Sequence, residues 1–344
     1  MGCIATIGSH SALQILKGAR MEGLKTLLLC PQGRESLYGR YGLADEIFTI
    51  NGPEDLLQDK VQRELLKNEA IFVPHGTLIS GGRLEEFEKN FRPPIFGNRR
   101  IFRWEFDRAL KDRILREAGI RIPKKFHSVD DVDRPVIVKL PGAEGGRGYF
   151  IAKDGDDLER KMREVVRRGL LKEDEANKAF IQEYIIGVTI YPHYFYSPML
   201  GRLELLGCDR RYETNVDGIG RICARDQLEL DLIPTFRVIG NLPIVLRESL
   251  LSEVFEAGER FVAATERLVP PGMIGPFCLE MICDEDGKLY TFEFSGRIVA
   301  GTNLFIDGSP YSSLLFDEPM SMGRRICREI KLALVEGKIG KITT

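Results

Sequence analysis

The sequence predicts an α/β domain with a doubly wound parallel sheet, followed by a larger α+β region with antiparallel strands. Over about the first hundred residues, short apolar runs alternate with helical patterns, as in parallel strands joined by helices. Further on, a glycine-rich loop at 142–148 joins two apolar strands. A strand-rich segment at 277–294 contains Asp286-Gly287, a strong signal for a hairpin.

The individual elements follow from the spacing of apolar residues. Helices are predicted at 11–22, 54–68, 104–118, 246–268 and 322–336. Buried strands are predicted at 3–7, 26–30, 46–50 and 70–73, and again on both sides of the glycine-rich loop. The aromatic run at 191–196 is interpreted as core packing in a strand.

Composition excludes several classes of protein. A chain of 344 residues with 43% hydrophobic residues suggests two or three domains. The net charge of -2 gives no support for a nucleic-acid or anionic-membrane surface. No apolar run reaches membrane-spanning length, and the seven cysteines form no zinc-ligand cluster or disulfide framework. We therefore expect a cytoplasmic protein.

The hairpin predicts a site for a divalent cation. If Asp286-Gly287 forms a two-residue turn, Glu285 pairs with Lys288, and Glu280 lies opposite Glu293. Two carboxylates about 5 Å apart repel each other, and Mg²⁺ bound together with phosphates would reverse that repulsion. Two alternatives stay open: one glutamate is protonated, or the turn is longer and the register differs.

Two loops predict an anion site in the first domain. Gly8-Ser9-His10-Ser11 and Pro74-His75-Gly76-Thr77 follow two predicted parallel strands. Ligands bind at such strand ends, where helix N-termini attract anions. The alternative is that Ser9 or Ser11 only caps the first helix.

Two further segments carry positive charge. Lys139 stands at the entry of the glycine-rich loop, whose backbone could close around phosphate oxygens; a flexible hairpin tip is the alternative. Arg210 and Arg211 lie near carboxylates at a predicted strand end. Such clusters commonly bind anions, although a solvated strand edge would look the same.

The order of these motifs resembles that of the ATP-grasp ligases. A parallel α/β domain precedes Asp107-Arg108 at the opening of a helix, then the glycine-rich loop, Gln-Glu-Tyr-Ile-Ile-Gly at 182–187, and Glu-x-Ser-x-Arg at 293–297. Segments 4–19, 191–196, 210–213 and 238–243 are similar to the archaeal formate-dependent ligase family that formylates 5-aminoimidazole-4-carboxamide ribonucleotide (AICAR). The resemblance extends through the whole chain.

The resemblance implies a domain organisation and a reaction. Residues 1–98 would form a pre-ATP-grasp, substrate-binding domain, and 99–344 an ATP-grasp domain with a lid at 99–190 and a metal and substrate subdomain at 191–344. The implied reaction formylates AICAR with ATP and formate in IMP biosynthesis, through formyl phosphate, releasing ADP and phosphate. Mg²⁺ or Mn²⁺ would assist. We expect a homo-oligomer with small-molecule substrates and no nucleic-acid or membrane partner.

The resemblance also assigns residues. His10, Arg211 and Arg297 are the catalytic candidates, and Glu280 and Glu293 the metal ligands. AICAR would contact Ser9, His10, Thr77, Asn241 and Arg297. ATP would contact Arg108, Lys139, Gly142, Gly145, Gly146, Gly148, Gln182, Glu183, Tyr184, Ile185 and Glu213.

Two departures from the ATP-grasp pattern matter. Ser295 replaces the usual asparagine beside the metal, which would hold a second ion less fully. Thr189 replaces a common acidic residue, so the ribose contact is assigned to Glu213. Two alternative functions remain: an ATP-grasp ligase that joins a different acid and amine, and an ATP-binding paralogue without turnover.

Overall fold

The computed structural model describes residues 2–80, 83–141, 148–230 and 235–344. Within them the chain forms three sheets with helices packed around them. The helices are α1 (Ala12–Met21), α2 (Glu35–Tyr41), α3 (Asp59–Lys67), α4 (Thr77–Ser80), α5 (Leu84–Asn90), α6 (Ile101–Phe106), α7 (Arg108–Glu117), α8 (Gly155–Arg167), α9 (Val216–Ile219), α10 (Ala224–Glu229), α11 (Glu248–Leu268) and α12 (Met322–Val335). The strands are β1 (Cys3–Ile7), β2 (Lys25–Pro31), β3 (Glu46–Ile50), β4 (Ala70–Phe72), β5 (Lys125–Phe126), β6 (Val136–Lys139), β7 (Tyr149–Ala152), β8 (Phe180–Glu183), β9 (Gly187–Ser197), β10 (Arg202–Asn215), β11 (Phe236–Pro243), β12 (Gly275–Asp284) and β13 (Leu289–Ser295).

The first sheet is parallel, as predicted. Its strand order is β3-β2-β1-β4, and all three pairings are parallel. The central strand β1 is buried along its whole length, which explains why residues 3–7 carry no charge. Strands β1 and β4 are neighbours, so the loops that follow them lie side by side at one edge of the sheet.

Two helices that the sequence predicts as continuous are interrupted. The segment 104–118 is divided between α6 and α7 at Asp107, whose carboxylate accepts hydrogen bonds from the amides of Ala109 (2.8 Å) and Leu110 (2.9 Å). This is an N-cap, which starts a new helix where the apolar periodicity alone suggests continuity. The segment 54–68 is likewise a 3₁₀ turn followed by α3. The prediction of a single helix at 104–118 was wrong, whereas 54–68 is helical as predicted, in two parts.

The second sheet supports the glycine-rich loop. Its order is β5-β8-β6-β7, and every pairing is antiparallel. Lys139 pairs with Tyr149, so the loop joins two hairpin strands, as predicted. Gly148 has a φ of 78° and its carbonyl accepts a hydrogen bond from the Leu140 amide (2.9 Å). Gly142, Gly145 and Gly146 lie outside the described residues.

The third sheet is antiparallel with the order β11-β10-β9-β12-β13. Helix α11 covers one of its faces: the ring of Phe261 lies 5.1 Å from that of Phe277, and the Tyr194 hydroxyl donates to the Val254 carbonyl (2.8 Å). The side chains of 191–195 are buried, which confirms that the aromatic run is core. Part of the other face packs against α12, where Phe195 and Ile326 belong to one apolar cluster, and polar side chains occupy the rest.

The C-terminal helix α12 packs against α1 of the first domain. Two glycines permit the contact: a Cβ atom on Gly18 would lie 2.4 Å from the Arg324 amide nitrogen, and one on Gly323 would lie 2.3 Å from the Gln14 carbonyl oxygen. The chain ends beside residue 95, where the Ile95 amide and Thr344 carbonyl are hydrogen-bonded (3.2 Å). The proposed division of the chain at residue 98 stays a prediction.

No helix among the described residues has both the length and the apolar composition needed to cross a bilayer.

Substitution of Gly18 by alanine should destabilise the protein. The new methyl group would overlap the α12 backbone, and overpacking of this kind costs about 1 to 3 kcal/mol. Gly39→Ala is the matched control, since Gly39 also lies in a helix but a Cβ there meets nothing within 4 Å. We expect denaturant unfolding to show a loss for Gly18→Ala and a gain of up to about 1 kcal/mol for Gly39→Ala. Equal stability of the two variants would contradict the close packing.

Candidate active site

The part of this face of the third sheet that α12 does not cover forms the floor of the site. On β10, Asp209 and Arg211 point to this face because strand residues alternate. Asn241 on β11 pairs directly with Arg211, and the Arg211 guanidinium lies 4.1 Å from the centre of the Tyr191 ring on β9. The five strands of this sheet thus bring an arginine, an acid, an amide, an aromatic ring and the glutamate pair of the β12-β13 hairpin to one surface.

The predicted opposition of Glu280 and Glu293 is confirmed, but the predicted turn is wrong. Asp284 and Lys288 close a turn of three residues, 285–287, and so Glu285 does not pair with Lys288. A register shift between Glu280 and Met281, with an extra residue on β13, compensates for the longer turn. The two carboxylates therefore still face each other.

Each carboxylate of the pair already has a cationic partner. Arg211 donates to Glu280 Oε1 (2.7 Å), and Lys111 of α7 donates to Glu293 Oε1 (2.9 Å). Burial favours the neutral acid, but Lys111 and Lys139 together lower the pKa of Glu293 to about 2. Burial likewise favours neutral Lys111, yet Glu293 raises the pKa of that amine. The predicted repulsion is therefore neutralised by side chains.

The pair still suits a metal ion. Glu280 Oε2 is buried and has no hydrogen-bond partner among the described residues, so it retains lone pairs for a cation. Glu293 lies at the opposite side of the hairpin and lines an open cavity. Within the described part of the chain, no group of three or more His, Cys, Asp or Glu side chains could hold a metal. Further oxygen ligands would have to come from a bound phosphate or from water.

A cavity of about 630 Å³ extends from this pair to the second sheet. Lys139 reaches it from β6, over the Phe180 ring at 5.7 Å. Burial, together with the nearby cations Lys111 and Arg108, lowers the pKa of Lys139. The charged residues that line the cavity are Glu105, Arg108, Lys111, Asp112, Lys125, Lys139, Arg211, Glu280, Glu293 and Arg297. This basic, half-enclosed cavity is suited to a polyphosphate.

Arg297 connects the cavity with the first domain. Its Nη2 atom lies 2.8 Å from Glu105 Oε1, and the other Glu105 oxygen accepts a hydrogen bond from the Gly296 amide (2.9 Å). Burial raises the pKa of Glu105, although Arg297 opposes that effect. Arg297 Nε is buried without a hydrogen-bond partner among the described residues. Nη1 donates to the Ile298 carbonyl (3.3 Å), so the guanidinium is held at both terminal nitrogens and retains Nε as an unused donor.

The two loops of the first domain meet beside Arg297. The rings of His10 and His75 stack with their centres 5.6 Å apart. His75 donates from Nε2 to the Ile7 carbonyl (2.9 Å), and burial lowers its pKa to about 4. His10 is exposed at the loop surface, but partial desolvation of its ring and the nearby Arg297 lower its pKa to about 3. Both imidazoles are therefore neutral at physiological pH.

Glycine at position 76 allows this convergence. A Cβ atom there would lie 3.0 Å from His10 Nε2 and 3.3 Å from Arg297 Cζ. Ser11 occupies the N-cap position of α1 but makes no side-chain capping bond; its hydroxyl lies 3.1 Å from His10 Nδ1. The Ser11 capping alternative is therefore not supported. Ser9 is half-buried in the same loop, and its role stays a prediction.

The structure brings together most of the residues that the sequence assigns. Arg108, Lys139, Gln182, Arg211, Glu280, Glu293 and Arg297 line the cavity. His10 and Thr77 lie in the loops next to Arg297, and Asn241 lies on the sheet floor. The Glu183 carboxylate instead accepts from the Lys124 amide and from Arg134 (both 3.0 Å). Burial raises the pKa of Glu213, which follows a bulge on β10.

Sequence analysis missed Glu105, Lys111 and Lys125. Lys111 follows Arg108 by three residues, and residues three apart share a helix face. Once Arg108 is assigned to the ATP phosphates, that spacing predicts that Lys111 faces the same site. Glu105 gave no comparable signal, because its role depends on Arg297, which is distant in the sequence.

The fold is that of the ATP-grasp enzymes. The structure of N5-carboxyaminoimidazole ribonucleotide synthetase in complex with ADP matches with a TM-score of 0.64 over 95% of this chain and 76% of that chain, at 13% identity. Such low identity shows the fold alone. The predicted parallel domain followed by an ATP-grasp fold is confirmed.

Closer relatives define the family. The chain is 49% identical, over 98% of its length and 94% of the relative, to 5-formaminoimidazole-4-carboxamide-1-(beta)-D-ribofuranosyl 5'-monophosphate synthetase of Methanocaldococcus jannaschii. It is 32% identical to an IMP biosynthesis protein PurP from Thermococcus kodakaraensis, whose crystal structure matches with a TM-score of 0.75 over 99% of this chain and 100% of that chain. Family models described as a protein and a domain of unknown function, DUF1246 and DUF1297, match residues 4–126 and 157–344. The chain belongs to this synthetase family.

Glu293→Gln should lower the stability of the metal-free protein at pH 7, because Lys111 loses its carboxylate partner. We expect a decrease in melting temperature of about 3 °C in the presence of a chelator. The pKa of Glu293 is lowered on folding, so its contribution is complete above the ordinary carboxyl range near pH 4 and is lost as the pH falls toward about 2.

The difference in melting temperature between Glu293→Gln and wild type should therefore shrink as the pH falls from about 4 to about 2. Glu293→Gln combined with Lys111→Met is the control, because it removes both charges and should regain part of the loss. A single variant that melts at or above the wild-type temperature at pH 7 would show that repulsion from Glu280 dominates.

Proposed function

We propose that this protein catalyses the ATP- and formate-dependent formylation of AICAR to 5-formamidoimidazole-4-carboxamide ribonucleotide in IMP biosynthesis, as an ATP-dependent ligase of the ATP-grasp type. One observation carries the proposal. A single cavity joins the lysines of the ATP-grasp region to the opposed glutamates, and Arg297 continues it to the paired loops of the first domain. The names of the family relatives agree with this product.

ATP would lie between the second and third sheets. Arg108, Lys111 and Lys139 would be the cations nearest to the phosphates, with Gly148 beside them. Adenine would lie against residues 182–185. There the amides of Glu183 and Tyr184 already donate to the carbonyls of Lys124 (2.7 Å) and Pro135 (2.8 Å). The Ile185 amide makes no backbone hydrogen bond among the described residues and would be available to the base. Glu213 would contact the ribose.

AICAR would lie at the loops of the first domain, with its phosphate near strand ends that favour anions. Ser9, His10 and Thr77 would contact it from that side, and Asn241 and Arg297 from the other. Because the pKa of His10 is lowered to about 3, its ring stays neutral and can accept a hydrogen bond from the substrate. The unused Nε of Arg297 is a donor for an oxygen of a substrate.

The proposed chemistry has two displacement steps. A formate oxygen attacks the γ-phosphorus of ATP, the bond to the β–γ bridging oxygen breaks, and ADP leaves. The amine of AICAR then attacks the carbon of formyl phosphate, phosphate leaves with the original formate oxygen, and the amine loses one proton. Arg211, Lys111 and Lys139 would stabilise negative charge on the transferring group. Enclosure by the glycine-rich loop would protect the anhydride from water.

Mg²⁺ or Mn²⁺ would be held by Glu280 and Glu293, since Glu280 Oε2 has no other partner among the described residues. Such an ion would neutralise charge on the phosphates during transfer. Binding it requires Lys111 to release Glu293 or to share it. If Lys111 releases Glu293, its amine becomes available to the phosphate.

We also propose a cytoplasmic location and a homo-oligomeric state. The free cysteines Cys3, Cys30, Cys208, Cys278 and Cys327 are buried and unpaired, which suits a reducing compartment. Light scattering of the purified protein would determine the oligomeric state.

Isotope transfer tests the reaction. With ATP, AICAR and formate carrying ¹⁸O in both oxygens, we expect one ¹⁸O atom in each phosphate released, because the attacking oxygen stays on phosphorus. Mass spectrometry of the phosphate measures this. Reactions with acetate or bicarbonate in place of formate should release ADP at the background rate. Unlabelled phosphate would contradict formyl phosphate, while turnover with another acid would favour a different ligase, and absence of turnover a binding paralogue.

Substitution of Gly76 by alanine tests the position of AICAR. The new methyl group would push apart His10 and Arg297, so we expect the KM for AICAR to rise about tenfold while the KM for ATP is unchanged. Gly39→Ala, outside the cavity, should alter neither constant. A rise in the KM for ATP alone would show that the two ligands have been placed the wrong way round.

A further inference from the structure

A buried acid lies beside the catalytic candidates and contacts one of the residues assigned to the substrate. Asp209 is 1% exposed, and its Oδ2 atom accepts a hydrogen bond from Nδ2 of Asn241 at 2.6 Å. Asn241 pairs with Arg211 across the strands. Arg211 lines the cavity, whereas Asp209 and Asn241 are not among its lining residues and lie next to Arg211 on the sheet.

The carboxylate of Asp209 is held on its other side as well. His193 is equally buried, and its Nε2 atom lies 2.7 Å from Asp209 Oδ1. This is ion-pair distance, although the ring is not angled for a hydrogen bond and Nδ1 has no partner among the described residues. A Cβ atom on Gly301 would lie 2.4 Å from the same oxygen. The backbone at 301 and the imidazole thus confine the carboxylate.

This confinement fixes the orientation of the Asn241 amide. Because the NH₂ group of Asn241 donates to Asp209 Oδ2, the carbonyl oxygen of the same amide faces away from Asp209. Among the described residues, the hydrogen bond of Asn241 is made by Nδ2 and none uses its Oδ1 atom. The side chain therefore offers an acceptor, and the ligand group that it recognises must be a donor.

The neighbours of this acceptor indicate which donor it meets. On one side lies Arg211, at the glutamate pair where phosphoryl transfer would occur. On the other side, the segment that packs on Asp209 continues to Asn303, whose amide donates to the His10 carbonyl (3.1 Å). The acceptor thus lies between the phosphoryl-transfer region and the loops for the ribonucleotide. AICAR offers N–H and O–H donors on its amine, its carboxamide and its ribose, and of these the amine is the one that has to reach the phosphoryl-transfer region for formyl transfer.

We propose that Asp209 is a positioning residue, which orients Asn241 so that its carbonyl oxygen accepts a hydrogen bond from the exocyclic amine of the aminoimidazole substrate. This inference rests on the proposed function, because it assumes that substrate. The hydrogen bond would hold the amine with its lone pair directed at the formyl carbon. His193 and the backbone at 301 would act only by fixing Asp209.

Exchange of the two side chains tests the orientation. Asp209→Asn allows the Asn241 amide to rotate, and Asn241→Asp places two carboxylates in contact. Each single variant should raise the KM for AICAR or lower kcat/KM for AICAR by about tenfold, with the KM for ATP unchanged. In the double variant, the amide introduced at position 209 donates to the carboxylate introduced at position 241, whose second oxygen is again an acceptor facing the substrate. We expect the double variant to recover to within about threefold of wild type.

A second amide–carboxylate pair provides the control. Asn51 donates to Asp55 at 2.9 Å outside the cavity, and the same single and double exchanges there should leave both KM values unchanged. A double variant at 209 and 241 that is as impaired as the single ones would overturn the proposal, since it would show that Asn241 acts as a donor or only packs. Single variants with wild-type constants would overturn it too.

Wild-type turnover is measured first, so that failure of the proposed function is recognised separately. If the wild-type protein binds AICAR but does not turn it over, calorimetric titration with AICAR replaces kinetics for the same set of variants. The expected pattern is then loss of affinity in each single variant and recovery in the double variant. Affinity that does not recover would overturn the orientation even in a protein without turnover.

Discussion

The opposition of Glu280 and Glu293 is the constraint on which the rest of the site depends. Adjacent antiparallel strands bring the two carboxylates within a few ångströms on one face, and a polar face of this kind needs positive charge nearby. Arg211 and Lys111 supply it from a neighbouring strand and from a helix of the ATP-grasp region. Because Lys111 reaches the pair from α7, the charge requirement also fixes the position of that helix over the sheet. The break at Asp107 therefore matters for the site, because it starts the helix that carries Lys111.

Arg297 connects the glutamate hairpin to the first domain. It follows Glu293 by four residues, pairs with buried Glu105 at the end of α6, and reaches Gly76 and His10. A bridge between His75 and Ile298 extends this contact along the backbone. On the opposite side of the domain, α12 packs on α1 through glycines. The loops of the parallel sheet are thus held from two sides against the antiparallel one, so a ligand bound at the loops has a defined position relative to the cavity.

Local pattern predicted the fold better than it predicted the contacts. Alternating apolar runs identified the four parallel strands, since buried central strands such as β1 need continuous apolar sequence. The glutamate pair was found although the turn was not: Asp286-Gly287 lies in a three-residue turn, and the extra residue on β13 compensates. Burial of alternate side chains sets the register, so a hairpin can absorb a longer turn with a bulge. The pairing of Lys111 with Glu293 spans 182 residues, and no local pattern encodes such a distance.

The charges of the cavity suit both the empty protein and the protein with a nucleotide and a metal ion bound. Among the described residues, six basic and four acidic side chains line it, which leaves an excess of two positive charges. ATP carries about four negative charges at neutral pH, and a divalent ion reduces that number by two. A nucleotide with its metal therefore matches the excess, whereas either component alone does not. In the absence of both, Lys111 and Arg211 neutralise the glutamates internally, so the same cations stabilise the empty floor and become available to phosphate when a metal replaces them.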